Sequence, residues 1–531
     1  MPRMATDRVF ERRLAALVNS RSPDMLRHGL RGMEKESLRV TSGGRLARSA
    51  HPAALGSALF NPNITTDYSE ALTELVTPTF QDNDALLSYL RALQQFVYGH
   101  LNDESLWCAS MPCELAGDAE VPIAHYGRSH QGQFKEVYRR GLQTRYGGMM
   151  QAIAGVHFNY SLPLSFWPLW ADLLQSRDSG KDFISARYFD LLRNFRRHGW
   201  LVIYLFGASP ALCRSFLQER ADAALHPHAA RTVYGEYATS LRMSDLGYRN
   251  RNQAAVAVSA NGLEEYLRDL MHAVHTPHAP FKALGICVGG EYRQLSANVL
   301  QIENEYYSNI RPKRAPRAGE LTGQALARDG VQYVEVRSVD LDPSQAESVS
   351  ASQLCFLEAL MVTLVIKDSP FIDTSEQEAL DHNHLEVARR GREPDLTLSA
   401  NGTAAPLAQW AGQLLQEMEG VCELLDAGTP ARPYSTALRA QQDKLAQPQL
   451  LPAAQQLRTL LDSNEDFATL MQAQSRHYRD ESLRAAADSL LPEFAHQAED
   501  SLQQQQRADA SVSSTFEQWL HDKLALDLKP C

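Results

Sequence analysis

Strict alternation of apolar and polar side chains marks the clearest strands in the chain. Alternate strand residues share a face. In GMEKESLRV, Gly32 to Val40, one face carries Glu34, Glu36, Leu38 and Val40, and the other Met33, Lys35, Ser37 and Arg39. GVHFNYSLP sets Val156, Phe158, Tyr160 and Leu162 against His157, Asn159 and Ser161. VQYVEVRSVDLDP, residues 331–343, places Val331, Tyr333, Glu335, Arg337 and Val339 together. ANVLQIENEYY, residues 297–307, reads as a further strand. In NITTDYSEALTELVTP, Asp67 followed by Glu70 resembles a capping box, so a short helical turn leading into a strand is expected.

Helical apolar periods fill other stretches. They are residues 84–105, the segment GQFKEVYRRGLQTRYGGMMQAIAG with a break at Gly147 and Gly148, and residues 184–204. LCFLEALMVTLVI, Leu354 to Ile366, carries Glu358 and is too short to span a bilayer, so it reads as a buried helix. Beyond residue 350 the pattern is helical, through PLAQWAGQLLQEMEGVCELLDA and PAAQQLRTLLDS to a polar tail at Glu499 to Arg507. The class is α+β: an antiparallel sheet with polar inward positions, surrounded by helices, with a helical C-terminal part.

Composition narrows the partners. The chain has 531 residues, 44% hydrophobic and 22% charged, ordinary for a soluble globular protein. A net charge of -11 and the lack of a long basic run give no reason to expect a nucleic-acid partner. Seven cysteines, an odd number without a CxxC pair, support neither a disulfide framework nor a zinc–thiolate site, and a reducing cytoplasm fits. The N-terminus carries Asp7 and Glu11 and lacks the apolar run of a signal peptide. No membrane partner is expected.

Carboxylates recur in apolar, strand-like surroundings: Glu34, Glu36, Asp67, Glu70, Glu74, Glu303, Glu305 and Glu335. Taken singly, each reads as part of a solvated sheet face, and His157 as a satisfied core histidine. Together they conflict, because carboxylates on one face repel and raise each other's pKa. A divalent cation removes the conflict: Mg²⁺ and Mn²⁺ prefer carboxylate oxygen, and Mn²⁺ tolerates imidazole. Arginine matches carboxylate and phosphate with its planar fork. Arg242 and Tyr248 lie together in YATSLRMSDLGY, and Arg311, Lys313, Arg314 and Arg317 follow the Glu303 segment. With neither GxxxxGK[ST] nor a GxGxxG after a strand, any ATP site uses another device.

At these residues the sequence resembles the glutamate–cysteine ligase family, proteobacterial type. GMEKESLRV, HPAALGSAL, ITTDYSEALTELVTP, SMPCEL, QFKEVYRRGLQTRYG, GVHFNYSLP, YLFGASPALC, YATSLRMSDLGY, NVLQIENEYY, IRPKR and VQYVEVRSVDLDP carry the resemblance in family order. It implies a glutamine synthetase-like fold, a curved antiparallel sheet forming a funnel-shaped active site, with residues 1–390 catalytic and 391–531 a helical region packed on it. It implies ATP-dependent joining of L-glutamate to L-cysteine, with ATP as co-substrate, Mg²⁺ (or Mn²⁺) as cofactor and a monomeric chain. Metal ligands would be Glu34, Glu36, Asp67, Glu74, His157 and Glu335. The substrates would meet Tyr68, Tyr138, Arg139, Arg242, Tyr248, Tyr307 and Arg337, with Arg337 and Arg242 catalytic. Arg311, Lys313 and Arg314 would serve the nucleotide. Tyr68 falls where other members can have Phe, and Lys35 where Arg is familiar. Alternatives are a ligase of the same fold with another amine, or a non-catalytic metal- or nucleotide-binding protein.

Overall fold

The computed structural model describes residues 8–20, 23–218, 220, 222–247, 256–317, 319–400 and 402–524. Its centre is a seven-stranded sheet. The strands are β1 (Leu30–Val40), β2 (Ile64–Thr66), β3 (Leu72–Val76), β4 (Ser105–Leu106), β5 (Val156–Ser161), β6 (Ile310–Lys313) and β7 (Tyr333–Val339). Their order is β6-β7-β5-β1-β3-β2, with β4 paired to β1, and every pairing is antiparallel.

Register sorts the side chains into two layers. Glu36 faces Glu74 across β1 and β3, and Glu34 faces His157 across β1 and β5. Asn159 and Arg311 both lie opposite Glu335. These polar positions share one face. The other face packs Met33, Phe158, Val334 and Val336, each fully buried, so burial of the apolar layer holds the polar layer in place. Lys35 falls on this apolar side, as alternation requires, and its buried ammonium donates to Ser37 Oγ at 3.0 Å.

The helix Ala351–Ile366 is buried over nearly its whole length, as its sequence predicts. Glu358 within it is fully buried and pairs with Arg31 of β1, while Tyr434 donates to the same carboxylate at 2.7 Å. Six helices follow the Thr397–Pro406 hairpin among the described residues: Leu407–Asp426, Pro433–Ala446, Pro452–Ser463, Phe467–Arg484, Leu491–Ala510 and Phe516–Leu524. The polar tail at residues 499–507 lies inside one of them, with Ser501 buried.

Several expectations are corrected. NVLQIENEYY contains a 3-10 turn, Glu303–Glu305, instead of a strand. Residues 67–71 connect two paired strands and form no helix, because Glu70 spends its carboxylate on the backbone N–H groups of His51 and His125, each at 2.7 Å. Val339 does not share a face with Glu335: an extra residue enters β7 between the Val336–Phe158 and Val339–Val156 pairs, and this bulge reverses the alternation. Cys108, Cys113, Cys213, Cys355 and Cys422 are free and buried, whereas Cys287 is disulfide-bonded, a departure from what a reducing compartment favours. No helix among the described residues is long and apolar enough to cross a membrane.

Candidate active site

The polar sheet face forms an acidic cup. Glu34 Oε2 accepts from His157 Nδ1 at 2.9 Å and Oε1 from Asn159 Nδ2 at 3.0 Å. The other imidazole nitrogen lies 3.5 Å from Glu36 Oε1, and Glu36 Oε2 accepts from Gly155 N at 2.8 Å. Glu34, Glu74 and His157 each offer a ligand atom within 4.8 Å of the others.

Charge is unevenly settled in this cup. Burial pushes the Glu74 carboxyl well above the usual range, and Glu34, Asp67 and Glu36 add to it. Burial also raises Glu36. Burial acts on Glu34 the same way and is the largest influence, but the hydrogen bond from His157 together with the charges of His157 and Lys313 outweighs it, and Glu34 is lowered. Glu335 is held well below the usual range: burial opposes this, and the charges of Lys313 and Arg337 prevail. Lys313 Nζ donates to Glu335 Oε1 at 3.0 Å, and Arg337 Nη1 to Oε2 at 3.2 Å. Arg337 Nη1 also lies 3.5 Å from His157 Nδ1. One wall of the cup is therefore neutralised by bases, and the Glu74 wall is the acidic remainder that a cation would settle.

Beside the cup is a cleft of about 130 Å³. Glu36, Asp67 and Arg337 join it to the cup, and Tyr68, Tyr138, Arg139, Tyr307 and Arg311 line the rest. The helix His130–Tyr146 supplies Tyr138 and Arg139, and it stops at Gly147, whose φ of 86° a side chain would strain. Arg139 Nε donates to the Asp67 carbonyl, and Tyr68 Oη is buried without a hydrogen-bond partner among the described residues. Arg242, on the 3-10 turn Leu241–Met243, donates to the Arg337 carbonyl at 2.8 Å and lies 3.4 Å from Asp340. Gly155 is required there, since a Cβ would fall 2.0 Å from the Arg242 guanidinium.

The structure thus gathers Glu34, Glu36, Asp67, Glu74, His157, Glu335, Tyr68, Tyr138, Arg139, Tyr307, Arg311, Lys313, Arg337 and Arg242 around one depression. Arg314 is spent elsewhere, donating to the carbonyls of Gly330 and Asp329 at 2.7 Å each. Glu305 is held by Arg145 and Tyr146, and Glu303 accepts from Gly323 N, so neither joins the cup. Tyr248 lies outside the described residues. Asn159, Asp340, Tyr126 and Lys135 were not singled out as site residues from sequence. Alternation already put Asn159 beside His157, and Lys135 lies one helical turn before Arg139. Tyr126 gave no local signal.

An open antiparallel sheet carrying an acidic cup beside an arginine- and tyrosine-lined cleft defines a class, the glutamine synthetase-like carboxylate–amine ligases. The comparisons refine this: the family model for glutamate–cysteine ligase matches residues 14–387, and the chain belongs to that family. A glutamate–cysteine ligase of Azotobacter vinelandii is 45% identical over 521 residues, covering 96% of this chain and 97% of the relative. One from Alcanivorax borkumensis is 42% identical over 97% of this chain and 99% of the relative. A solved Francisella tularensis glutamate–cysteine ligase in complex with AMP superposes with a TM-score of 0.88 at 32% identity, covering 94% of this chain and 98% of that one. A bifunctional glutathione synthetase from Pasteurella multocida shares the fold at a TM-score of 0.70 and 23% identity, covering 90% of this chain and 54% of that one.

Proposed function

We propose that the cup and cleft are the active site of an ATP-dependent ligase that joins the γ-carboxylate of L-glutamate to the amine of L-cysteine, the first step of glutathione biosynthesis. The observation that carries this reading is the meeting of Glu34, Glu74 and His157 with Arg337 and the cleft on one sheet face.

The donor set suits a hard divalent cation. The raised Glu74 carboxyl is the group such an ion would relieve, and the ligand atoms of Glu34, Glu74 and His157 already converge. Glu34, Glu36, Asp67, Glu74, His157 and Glu335 would hold Mg²⁺, with Mn²⁺ also tolerated through the imidazole. A bound ion of this kind supplies neutralisation of phosphate charge and polarisation of the transferred phosphoryl group.

The chain's own residues do the rest. A γ-carboxylate oxygen of glutamate attacks the γ-phosphorus of ATP, the bond to ADP breaks, and a γ-glutamyl phosphate forms. The cysteine nitrogen then attacks the acyl carbon, the C–O bond to phosphate breaks, and the amine releases a proton. Arg337, already directed into the cup, aims its fork at charge gathering on the phosphoryl oxygens. Arg242, packed beneath it, orients a carboxylate and fixes the Arg337 backbone. Lys313 and Arg311 serve the nucleotide phosphates. Tyr68, with its unpartnered hydroxyl, and Tyr138 and Tyr307 close a pocket matched to a small thiol side chain. Tyr248 belongs to the same substrate set by resemblance.

We also take residues 1–390 as the catalytic part with 391–531 packed on it, and the working form as a cytoplasmic monomer. Sedimentation at the active concentration tests the latter. The deciding experiment is phosphate release from ATP with glutamate, with and without cysteine, together with the mass of the product. γ-Glutamylcysteine is expected. Product with another amine but not cysteine moves the chain to a sister ligase, and absence of glutamate-dependent phosphate release overturns catalysis.

A further inference from the structure

Lys135 stands apart from the other bases of the site. Arg139 donates to the Asp67 and Lys135 carbonyls, Arg311 to Asn304, Lys313 and Arg337 to Glu335, and Arg242 to the Arg337 carbonyl. Lys135 Nζ has neither a hydrogen-bond partner nor an ion pair among the described residues. It lies 4.9 Å over the ring of Tyr126.

That position is built. Tyr126 is buried, and its hydroxyl donates to the backbone carbonyls of Thr66 and Asp67. The ring is thereby fixed beside Asp67. Arg139 stacks on the same ring, its guanidinium carbon 4.6 Å from the centroid. Two cations one helical turn apart thus share one aromatic platform, an arrangement that attracts an anion. Burial, with the charge of Arg139, pushes the Lys135 ammonium down to about 8; the Glu74 and Asp67 carboxylates oppose this from the cup, yet neither pairs with it within 4.0 Å. Three ammonium donors remain to be satisfied in a half-buried place.

The same helix face runs from Lys135 through Tyr138 and Arg139 to Leu142 and Tyr146, and the last four line the cleft. At about 130 Å³ the cleft is well below the roughly 300–1,000 Å³ of drug-sized sites, so it suits an amino acid better than a nucleotide. We propose that Lys135, seated on Tyr126 beside Arg139, binds the α-carboxylate of the amino acid that occupies the cleft. The inference rests on the reading of the cleft given above. The carboxylate could come from glutamate or from cysteine, and the two are distinguished by which KM moves.

The test compares wild-type protein with Lys135→Gln and Lys135→Arg, measuring kcat and the KM of glutamate, cysteine and ATP separately, with melting temperatures alongside. Lys135→Gln is expected to raise the KM of one amino acid about 10- to 100-fold, the size of one lost charge-assisted hydrogen bond, with an unchanged melting temperature. Lys135→Arg is expected to restore that KM to within about threefold, since it returns a cationic donor. All three KM values unchanged in Lys135→Gln overturns the assignment, even if kcat falls, because the lysine then serves only the charge balance of the cup. A rise confined to the KM of ATP also overturns it. Failure of the wild-type protein to make γ-glutamylcysteine would instead reject the reading of the site itself.

Discussion

Glu335 is held in its charged form by its neighbours. It is almost fully buried, held below the usual carboxylate range by Lys313 and Arg337, and placed opposite Asn159 and Arg311. Glu335→Ala is expected to lower ADP formation by about 10²-fold or more, the scale of removing one preorganised charge, while circular dichroism stays unchanged. The fold survives because Lys313 and Arg337, about a fifth exposed, can turn to water. Arg337→Lys is expected to lower kcat/KM by at least about tenfold, since a point charge replaces a planar fork; full activity would make the position structural. Glu74 has the opposite sign. A carboxyl whose folded pKa is raised costs stability above that pKa, and the cost is relieved as pH falls through it. Glu335, with a depressed pKa, contributes stability above its unfolded pKa and loses it as pH falls through the folded value. Glu74→Gln is therefore expected to raise the melting temperature of chelator-treated protein near pH 8 and to abolish most of the gain on adding Mg²⁺. A lower chelator-treated melting temperature would count against the like-charge account of the cup.

Among the elements, the back of the sheet is as constrained as the front. Arg31 and Glu358 are 1% and 0% exposed, and Tyr434 joins β1, the helix Ala351–Ile366 and the helix Pro433–Ala446 through one carboxylate. Glu358→Ala leaves a buried guanidinium without its counter-charge and is expected to cost about 3–5 kcal/mol by chemical denaturation. How far such elements were legible differs by cause. Alternation in GMEKESLRV and GVHFNYSLP gave the correct faces because both strands are regular where they pair. NVLQIENEYY, read as a strand, lacks their strict alternation and forms a turn instead, since Glu305 accepts from Gln301 N at 2.7 Å and is fixed by Arg145. The Asp67–Glu70 capping pattern failed because Glu70 found backbone donors far away in sequence. Arg314 and Lys313 are neighbours in sequence, but only one faces Glu335, which depends on β6 pairing with β7. Periodicity encodes faces; it does not encode which face meets which partner.

For the whole molecule, five of the six C-terminal helices complete one core with the sheet, while Phe516, Leu520 and Leu524 of the sixth pack in a separate cluster with Phe134 and Val137. Leu415, Met418, Leu425, Leu438, Leu457 and Met471 belong to the same hydrophobic cluster as Met33, Phe158 and Val336. A chain ending at residue 390 is expected to be insoluble or to lack a cooperative melting transition, because it uncovers the helix Ala351–Ile366 and removes Tyr434 from Glu358. A soluble truncated chain with a sharp transition would show two independent cores. The motifs that carry the family resemblance fall before this C-terminal region, whose function in the fold is apolar contact and therefore leaves no distinctive motif.

The bulge in β7 works as a phase shift in a periodic signal. Before it, odd-numbered positions look into the cup; after it, Val339 joins the apolar layer opposite Val156, and the buried Asp340 receives Arg242 and Ser240. Deleting the one extra residue there would close the bulge and leave Val339 opposite Val156 and Asp340 beside Arg242. Removing two would turn Val339 toward the cup and Asp340 away from Arg242. For this segment the fold distinguishes odd from even before it distinguishes long from short.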